Sequence, residues 1–174
     1  MPCRKNERAS LLCLSQSQHQ LCSQKNPKID EPTEDEFYYV GTVSKVRQML
    51  KLPGGSIRVL VEGVSRGRII EVLQNDDYFE AKIENLIYEP DNIIKDKDME
   101  AAMRLIITDF EEYIDLNQKV SPELSSAVLD IDDPGRLADV IASYVFLKPE
   151  DYQKILESFD VYERMEILHG FLQE

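Results

Sequence analysis

The feature that most constrains the fold is a pair of alternating apolar–polar runs around a glycine turn. In residues 45–52, and again in residues 57–62, apolar side chains recur at every second position over part of the run. A period of two is typical of a β-strand with one covered face. The segment 53–56 (Pro-Gly-Gly-Ser) supplies glycines that accept the positive φ of a tight turn. The sequence therefore predicts a β-hairpin with its turn at residues 52–56.

The hairpin is the centre of a predicted β-subdomain at residues 37–90. Gly63 ends the second run, and further strands are predicted at residues 66–73 and 78–88, rich in β-branched residues. Residues 1–36 are predicted to be poorly ordered or atypical, because their low apolar content does not offset the entropy of ordering the chain.

The rest of the chain, residues 96–174, has the pattern of a helical bundle. Helix-start signals with a capping residue or an early proline occur near residues 121, 133, 148 and 160. Together with the helix before them they predict five helices joined by short loops. The first helix has an apolar stripe of Met99, Met103, Ile106, Phe110 and Ile114. The predicted class is α+β, a small antiparallel β-subdomain followed by a five-helix bundle.

The net charge of −13 is unevenly distributed. Residues 89–174 hold 8 Lys+Arg and 21 Asp+Glu, whereas residues 37–88 hold 7 and 6. An acidic surface repels phosphate backbones, so nucleic acid is not expected as a partner of the acidic half. Apolar runs stay well short of the roughly 20 residues that span a bilayer, so we expect no membrane association and a cytoplasmic location.

Residues that could carry chemistry are few. All three cysteines lie in the first 22 residues, at a spacing that fits no standard zinc site. Residues 63–67 match G-x-S-x-G, but a nucleophile elbow needs a strand that leads into a helix. His169 is expected at a helix end, where its charge complements the helix dipole. No phosphate-binding loop is present in the sequence. We predict no catalytic residue, cofactor site or metal site on this chain.

Four separated blocks of sequence resemble the amino-terminal domain of Lon, the ATP-dependent protease. They are residues 23–27, 41–43, 50–63 and 160–168, in the family's order. The resemblance implies a PUA-like β-subdomain and a helical subdomain. It also implies recognition of unfolded or tagged proteins, and a role in organising a homo-oligomer of Lon subunits. In the family, ATP, Mg²⁺ and a serine–lysine dyad act in regions that follow this domain.

The front of the chain departs from that resemblance. Residues 1–20 match none of the family's opening strands and helix, which suggests a truncated or altered amino terminus. The β-subdomain is then expected to lack a strand and a covering helix. Because an unpaired strand edge invites association, we expect the chain to oligomerise through that edge.

Two other functions remain open on the sequence. One is a stand-alone adaptor that lacks the enzymatic domains. The other is RNA binding by the sheet, although no aromatic residues interleave with its basic side chains for base stacking. Those basic residues are Lys45, Arg47, Lys51, Arg58, Arg66 and Arg68. Because exposed loops often carry function, the weak candidates for substrate contact are in the hairpin turn. They are Leu52, Pro53, Gly54, Gly55 and Ser56.

Overall fold

The computed structural model describes residues 10–13, 18–29, 32–74, 79–87, 97–117, 126 and 128–173. The chain divides into two compact units, residues 1–87 and residues 88–174. The first unit is built of strands and the second of helices, so the α+β class is confirmed.

Five strands of the first unit close into a barrel in the order β1-β2-β3-β4-β5. Neighbours in sequence pair antiparallel, and β1 closes the ring through one parallel pairing of Cys13 with Glu80 of β5. The strands are β1 (Ser10–Cys13), β2 (Gln18–Cys22), β3 (Val40–Lys51), β4 (Ile57–Gln74) and β5 (Phe79–Leu86).

The structure corrects two expectations about residues 1–36. Two of the five strands, β1 and β2, lie in this stretch, and the chain after them is held by backbone hydrogen bonds such as Lys25 N–H to the Glu36 carbonyl at 2.7 Å. The low apolar content of residues 1–36 wrongly suggested poor order, because the polar side chain of Gln20 lies fully buried inside the barrel. Since β1 pairs with both β2 and β5, the strand edge on which the predicted oligomerisation rested is paired.

Strands β3 and β4 form the predicted hairpin, but their pattern is less regular than strict alternation. Register shifts occur between Val43 and Ser44 and between Val46 and Gln48. Strict alternation along residues 45–52 predicts that Val46 and Met49 lie on opposite faces, but Met49 pairs with Val59 and Val46 with Val61, so both lie on one face. β4 also continues through Gly63, which the sequence predicted would end the strand.

The barrel interior is packed around a buried polar side chain. Gln20 Nε2 donates to the Gly67 carbonyl at 2.8 Å. A Cβ atom at Gly41 would lie 2.1 Å from the Leu21 carbonyl oxygen, and one at Gly67 would lie 2.5 Å from Gln20 Oε1. Glycine is therefore required at Gly41 by the close approach of the β2 backbone, whereas a side chain at Gly67 would displace the amide end of Gln20.

The helical unit has four helices with defined bounds in the described residues. They are α1 (Lys97–Leu116), α2 (Pro134–Ala142), α3 (Pro149–Glu157) and α4 (Val161–Leu172). The predicted caps of α2 and α4 are confirmed: Asp133 accepts a hydrogen bond from Arg136 N–H at 2.6 Å, and Asp160 accepts one from Glu163 N–H at 3.0 Å. No described helix has both the length and the apolar character needed to span a membrane.

The predicted five-helix bundle is not confirmed. The helix start expected at residues 121–123 lies outside the described residues, although Ser126, Val128 and Leu129 are helical. The first helix agrees with its prediction, since Phe110 and three other members of the apolar stripe are buried in α1 and the fifth, Met103, packs against the same core.

An arginine ties the helices of this unit together. Arg164 is almost fully buried, and its Nε and Nη2 both donate to the Ser158 carbonyl at 3.1 and 3.0 Å. Its Nη1 donates to Asp139 Oδ1 at 3.2 Å and to the Gly135 carbonyl at 3.4 Å. A planar guanidinium satisfies several acceptors at once, so the α3–α4 corner and α2 are held by one side chain.

Candidate functional site

The β3–β4 hairpin extends beyond the barrel as a two-stranded arm, defined here as residues 46–62. The described pairings of β3 with β2 stop at Lys45, and those of β4 with β5 begin at Arg66. Between these limits the described strand pairings are only those of the hairpin itself. In the described residues, therefore, no third strand is paired with either edge of the arm.

A compact turn closes the arm. Leu52 N–H donates to the Ser56 carbonyl at 2.8 Å, and Gly55 N–H donates to the Leu52 carbonyl at 3.3 Å. Gly54 and Gly55 have φ values of 92° and 87°, which L-residues with a Cβ rarely adopt. The glycines predicted for this turn are thus needed by its backbone.

The turn contains all five residues that the sequence singled out for substrate contact. Leu52, Pro53, Gly54, Gly55 and Ser56 are all exposed and adjacent in space. Three of them, the two glycines and Ser56, offer little apolar side chain for binding, and the glycines are explained by the turn geometry. Their role in substrate contact stays a prediction.

Sequence reasoning missed the apolar side chains that precede and follow the turn. Met49, Leu50, Ile57 and Leu60 are 44%, 45%, 39% and 58% exposed. The signal was present in the sequence: apolar residues occupy both alternating sets of these strands, and a hairpin with two apolar faces needs cover on both. Large apolar side chains clustered in the open are typical of an interaction surface.

The register assigns these side chains to two faces. Leu50 pairs with Arg58 and Gln48 with Leu60, which places two exposed leucines on one face. The opposite face carries Lys51 with Ile57, followed by Met49 with Val59. Each face therefore combines exposed apolar side chains with one basic side chain close to the turn.

The basic side chains of the arm have different electrostatic surroundings. Arg47 forms an ion pair with Glu62, so its charge is largely compensated. Lys51 and Arg58 have no carboxylate partner within 4.0 Å in the described part of the chain. The turn end of the arm is consequently apolar and positively charged.

The other groups that could carry chemistry lie in surroundings that do not favour a reactive role. Residues 63–67 lie inside β4, so they do not form the strand–turn–helix of a nucleophile elbow. Burial raises the pKa of the Cys22 thiol to about 11, with a hydrogen bond to Gln20 acting in the opposite direction. A thiol held protonated is a poor nucleophile and a poor metal ligand. Burial also lowers the pKa of His19.

His169 joins two helices of the helical unit. Its Nδ1 lies 2.6 Å from Oδ2 of Asp109, a buried carboxylate of α1. Gln173 Nε2 donates to the other oxygen of Asp109 at 3.0 Å. His169 and Gln173 together fix the end of α4 against α1. The sequence suggested a dipole interaction for His169 and did not predict this contact.

Comparison with known proteins identifies the class of this domain. The family model of the ATP-dependent protease La (LON) substrate-binding domain matches residues 3–174. Lon protease of Clostridioides difficile is 46% identical over 156 residues, which are 88% of this chain and 20% of that protein. Lon protease 1 of Bacillus subtilis is 46% identical over 152 residues, 87% of this chain and 19% of that protein. The chain thus spans about a fifth of the length of these relatives.

Solved structures share the fold. The N-terminal domain of the Mycobacterium avium complex Lon protease matches with a TM-score of 0.69 at 18% identity, covering 89% of this chain and 77% of that one. A Lon N-terminal domain protein from Xanthomonas campestris matches with a TM-score of 0.59 at 10% identity, covering 98% and 95%. The family match begins at residue 3, so the expectation that residues 1–20 are unrelated to the family is wrong. The chain belongs to the family of Lon substrate-binding domains.

Proposed function

We propose that this domain captures unfolded or tagged protein segments for a Lon-type protease, and that the hairpin arm is the surface that first contacts them. The observation that carries this proposal is the exposure of four large apolar side chains on the two faces of the arm. An unfolded chain differs from a folded one mainly in exposing apolar side chains, and such an arm would bind them by removing apolar area from water.

The expected affinity of a single arm is modest. Full burial of an aliphatic side chain stabilises by about 1.5–3 kcal/mol, and the arm side chains are roughly half exposed already. Four of them would contribute roughly 4 kcal/mol before ordering of the substrate is subtracted. Because about 4 kcal/mol corresponds to a Kd of about 1 mM, one arm alone would bind in the millimolar range or more weakly, and several arms in an oligomer would add avidity.

The family match supports a wider role for the domain. In a full-length Lon-type protease, it would present the captured segment to ATP-dependent unfolding and to proteolysis, both performed outside this chain. Organising the homo-oligomer is a second proposed role. A cytoplasmic location, as expected from the sequence, fits these roles.

Fluorescence anisotropy with a chemically unfolded, labelled protein tests capture. The chain should bind the unfolded form and not the same protein in its folded state. Replacing Met49 and Leu60 with serine removes one apolar anchor from each face, and we expect affinity to fall at least tenfold. The matched control replaces Leu105 and Leu116, exposed leucines of α1, with serine.

Three outcomes decide the proposal. Loss of binding in the arm variant, with the α1 variant unchanged, supports it. Equal binding of unfolded and folded protein, or equal loss in both variants, contradicts it. Circular dichroism of both variants checks that each is folded, which is expected because all four substituted side chains are exposed.

RNA binding by the barrel remains a second candidate with weaker support. Two of the six basic side chains that suggested it face carboxylates, Arg47 at Glu62 and Arg68 at Glu84, with 3.8 Å between the latter charged groups. Paired charges release few counterions on contact with phosphates. We expect no complex in a low-salt gel-shift titration. A stand-alone adaptor would use the same arm and give the same capture result.

A further inference from the structure

The two uncompensated basic side chains of the arm stand directly beside its apolar anchors. Arg58 is the cross-strand partner of Leu50, and Lys51 is the cross-strand partner of Ile57. Directly opposed residues of an antiparallel pair have Cβ atoms about 5 Å apart on the same face. Each face of the arm therefore has a basic side chain directly opposite an exposed apolar side chain.

Several other basic side chains of the barrel have a carboxylate beside them. Lys82 Nζ lies 2.5 Å from Glu71 Oε2, and Arg47 pairs with Glu62. Lys45 also stands opposite Glu62 in the register. Lys51 and Arg58 differ from Lys82 and Arg47, since the described residues within 4.0 Å of their charged groups include no carboxylate. They differ from Lys45 in that their own register partners, Ile57 and Leu50, are apolar. Their compensation is left to solvent or to a bound partner.

Covering the apolar anchors changes the surroundings of these two charges. A segment that buries Leu50 or Ile57 also displaces water from Arg58 or Lys51, and a charge that loses water without gaining a partner is destabilised. A carboxylate on the segment replaces the lost water with an ion pair, whereas a basic side chain adds repulsion. At physiological salt the Debye length is about 8 Å, so these near charges outweigh the net charge of the whole chain.

We infer that the arm selects apolar segments flanked by acidic residues and disfavours segments flanked by basic ones. The inference rests on the proposed capture function and specifies its substrate class. The proposed partner of the arm is an extended protein segment that carries both apolar and carboxylate side chains. The apolar side chains supply most of the binding, and Lys51 and Arg58 decide between segments of equal apolar content.

Three peptides with one shared apolar core separate the apolar contribution to binding from the charge selection. The cores are flanked on both sides by two Asp, two Asn or two Lys residues, and binding to the 174-residue chain is measured by anisotropy at low and at 1 M salt. Because exposed ion pairs are individually weak, we expect the Asp peptide to bind about five- to tenfold more tightly than the Asn peptide at low salt. The Lys peptide should bind weakest, and at 1 M salt the three affinities should agree within about twofold.

Charge variants assign the preference to the arm. The double variant Lys51→Glu, Arg58→Glu should reverse the order of the Asp and Lys peptides, and Lys51→Gln, Arg58→Gln should abolish it. The control Lys82→Gln, Arg104→Gln removes two exposed basic side chains outside the arm and should leave the order unchanged. All substituted residues are exposed, so we expect the fold to be retained, which circular dichroism checks.

The outcomes separate this inference from the proposed function. Equal binding of the three peptides at low salt overturns the charge selection while capture stands. Failure of all three to bind, with failure of unfolded protein to bind, overturns capture itself.

If the control variant loses the preference as fully as the arm variant, the selection belongs to another surface. If a single-stranded oligonucleotide displaces the Asp peptide from the wild-type chain but not from the Lys51→Gln, Arg58→Gln variant, the two charges bind phosphates and the inference fails.

Discussion

The two ends of the β3–β4 hairpin share a pair of strands but have opposite surroundings. At the base, within the barrel, Val43 and Ile69 are buried and Gly41 packs against the backbone of β2. In the arm, Leu50 and Leu60 are exposed and the glycines of the turn have no atom within 4 Å of a Cβ position. The base supports the fold with its side chains, and the arm leaves the same kinds of side chain available for binding.

This difference shows that apolar content alone does not locate a core. Both ends of the hairpin are rich in branched apolar residues, and the covering strands decide which of them are buried. β2 and β5 cover the base, whereas the described pairings beside the arm are those of the hairpin alone. Substitutions at the base should therefore act on stability, and substitutions in the arm should act on binding.

The largest expected effect is that of Gly41→Ala at the base. The new Cβ would lie 2.1 Å from the Leu21 carbonyl oxygen, so the backbone of β2 would have to move. We expect the free energy of unfolding of the barrel to fall by about 3 kcal/mol or more. Native-state hydrogen exchange of β3 amides measures the loss, and α1 amides provide the internal reference.

The reference amides make the test specific. Exchange in α1 should be unchanged, because Gly41 belongs to the other compact unit. If a Gly41→Ala chain had wild-type exchange in β3, the β2 backbone would accommodate the new Cβ without loss of stability. The proposed contrast between a tightly packed base and an open arm would then be wrong.

The parts of the fold that the sequence predicted are those determined by local rules. The turn glycines, the Asp133 and Asp160 caps and the α1 stripe follow from φ preferences, capping and helical period, and the structure has all of them. These signals depend on neighbours in sequence, which a single chain displays.

What the sequence did not predict depends on contacts distant in sequence. Gln20 is polar, yet it is buried because Gly67, 47 residues away, offers a carbonyl acceptor. The exposed side chains of the arm were missed for the same reason, since their exposure depends on how far the distant strands β2 and β5 run beside the hairpin. The role of the turn in substrate contact stays a prediction, and the apolar residues beside it expose larger side chains than most residues of the turn itself.

A second, intermediate effect at the base concerns pH. Burial holds the folded-state pKa of Cys22 at about 11, above its ordinary value of 9.0. The unfolded chain thus loses this proton first as pH rises. The stability from the buried thiol is present below pH 9 and is lost progressively towards pH 11, by about 2 kcal/mol in all.

The difference between the wild-type chain and Cys22→Ala isolates this contribution. Urea unfolding of both at pH 8 and pH 11, followed by far-ultraviolet circular dichroism, cancels the tyrosines and lysines that titrate in the same range. The wild-type chain should lose more stability than Cys22→Ala over this interval. A parallel loss in the two chains would mean that solvent reaches Cys22 in the folded state.

The smallest expected effect is that of Gly54→Ala in the turn, the same substitution as at Gly41 with a different cause. The new Cβ meets no atom within 4 Å, but the φ of 92° is strained for alanine. We expect a local loss of about 1 kcal/mol, seen as faster exchange of the Leu52 amide that closes the turn. Gly54→Asn should lose less, because asparagine tolerates positive φ better. If Gly54→Ala instead loosened the β3 amides at the base as much as Gly41→Ala does, the arm and the barrel would unfold as one cooperative unit, and binding and stability could not be changed separately.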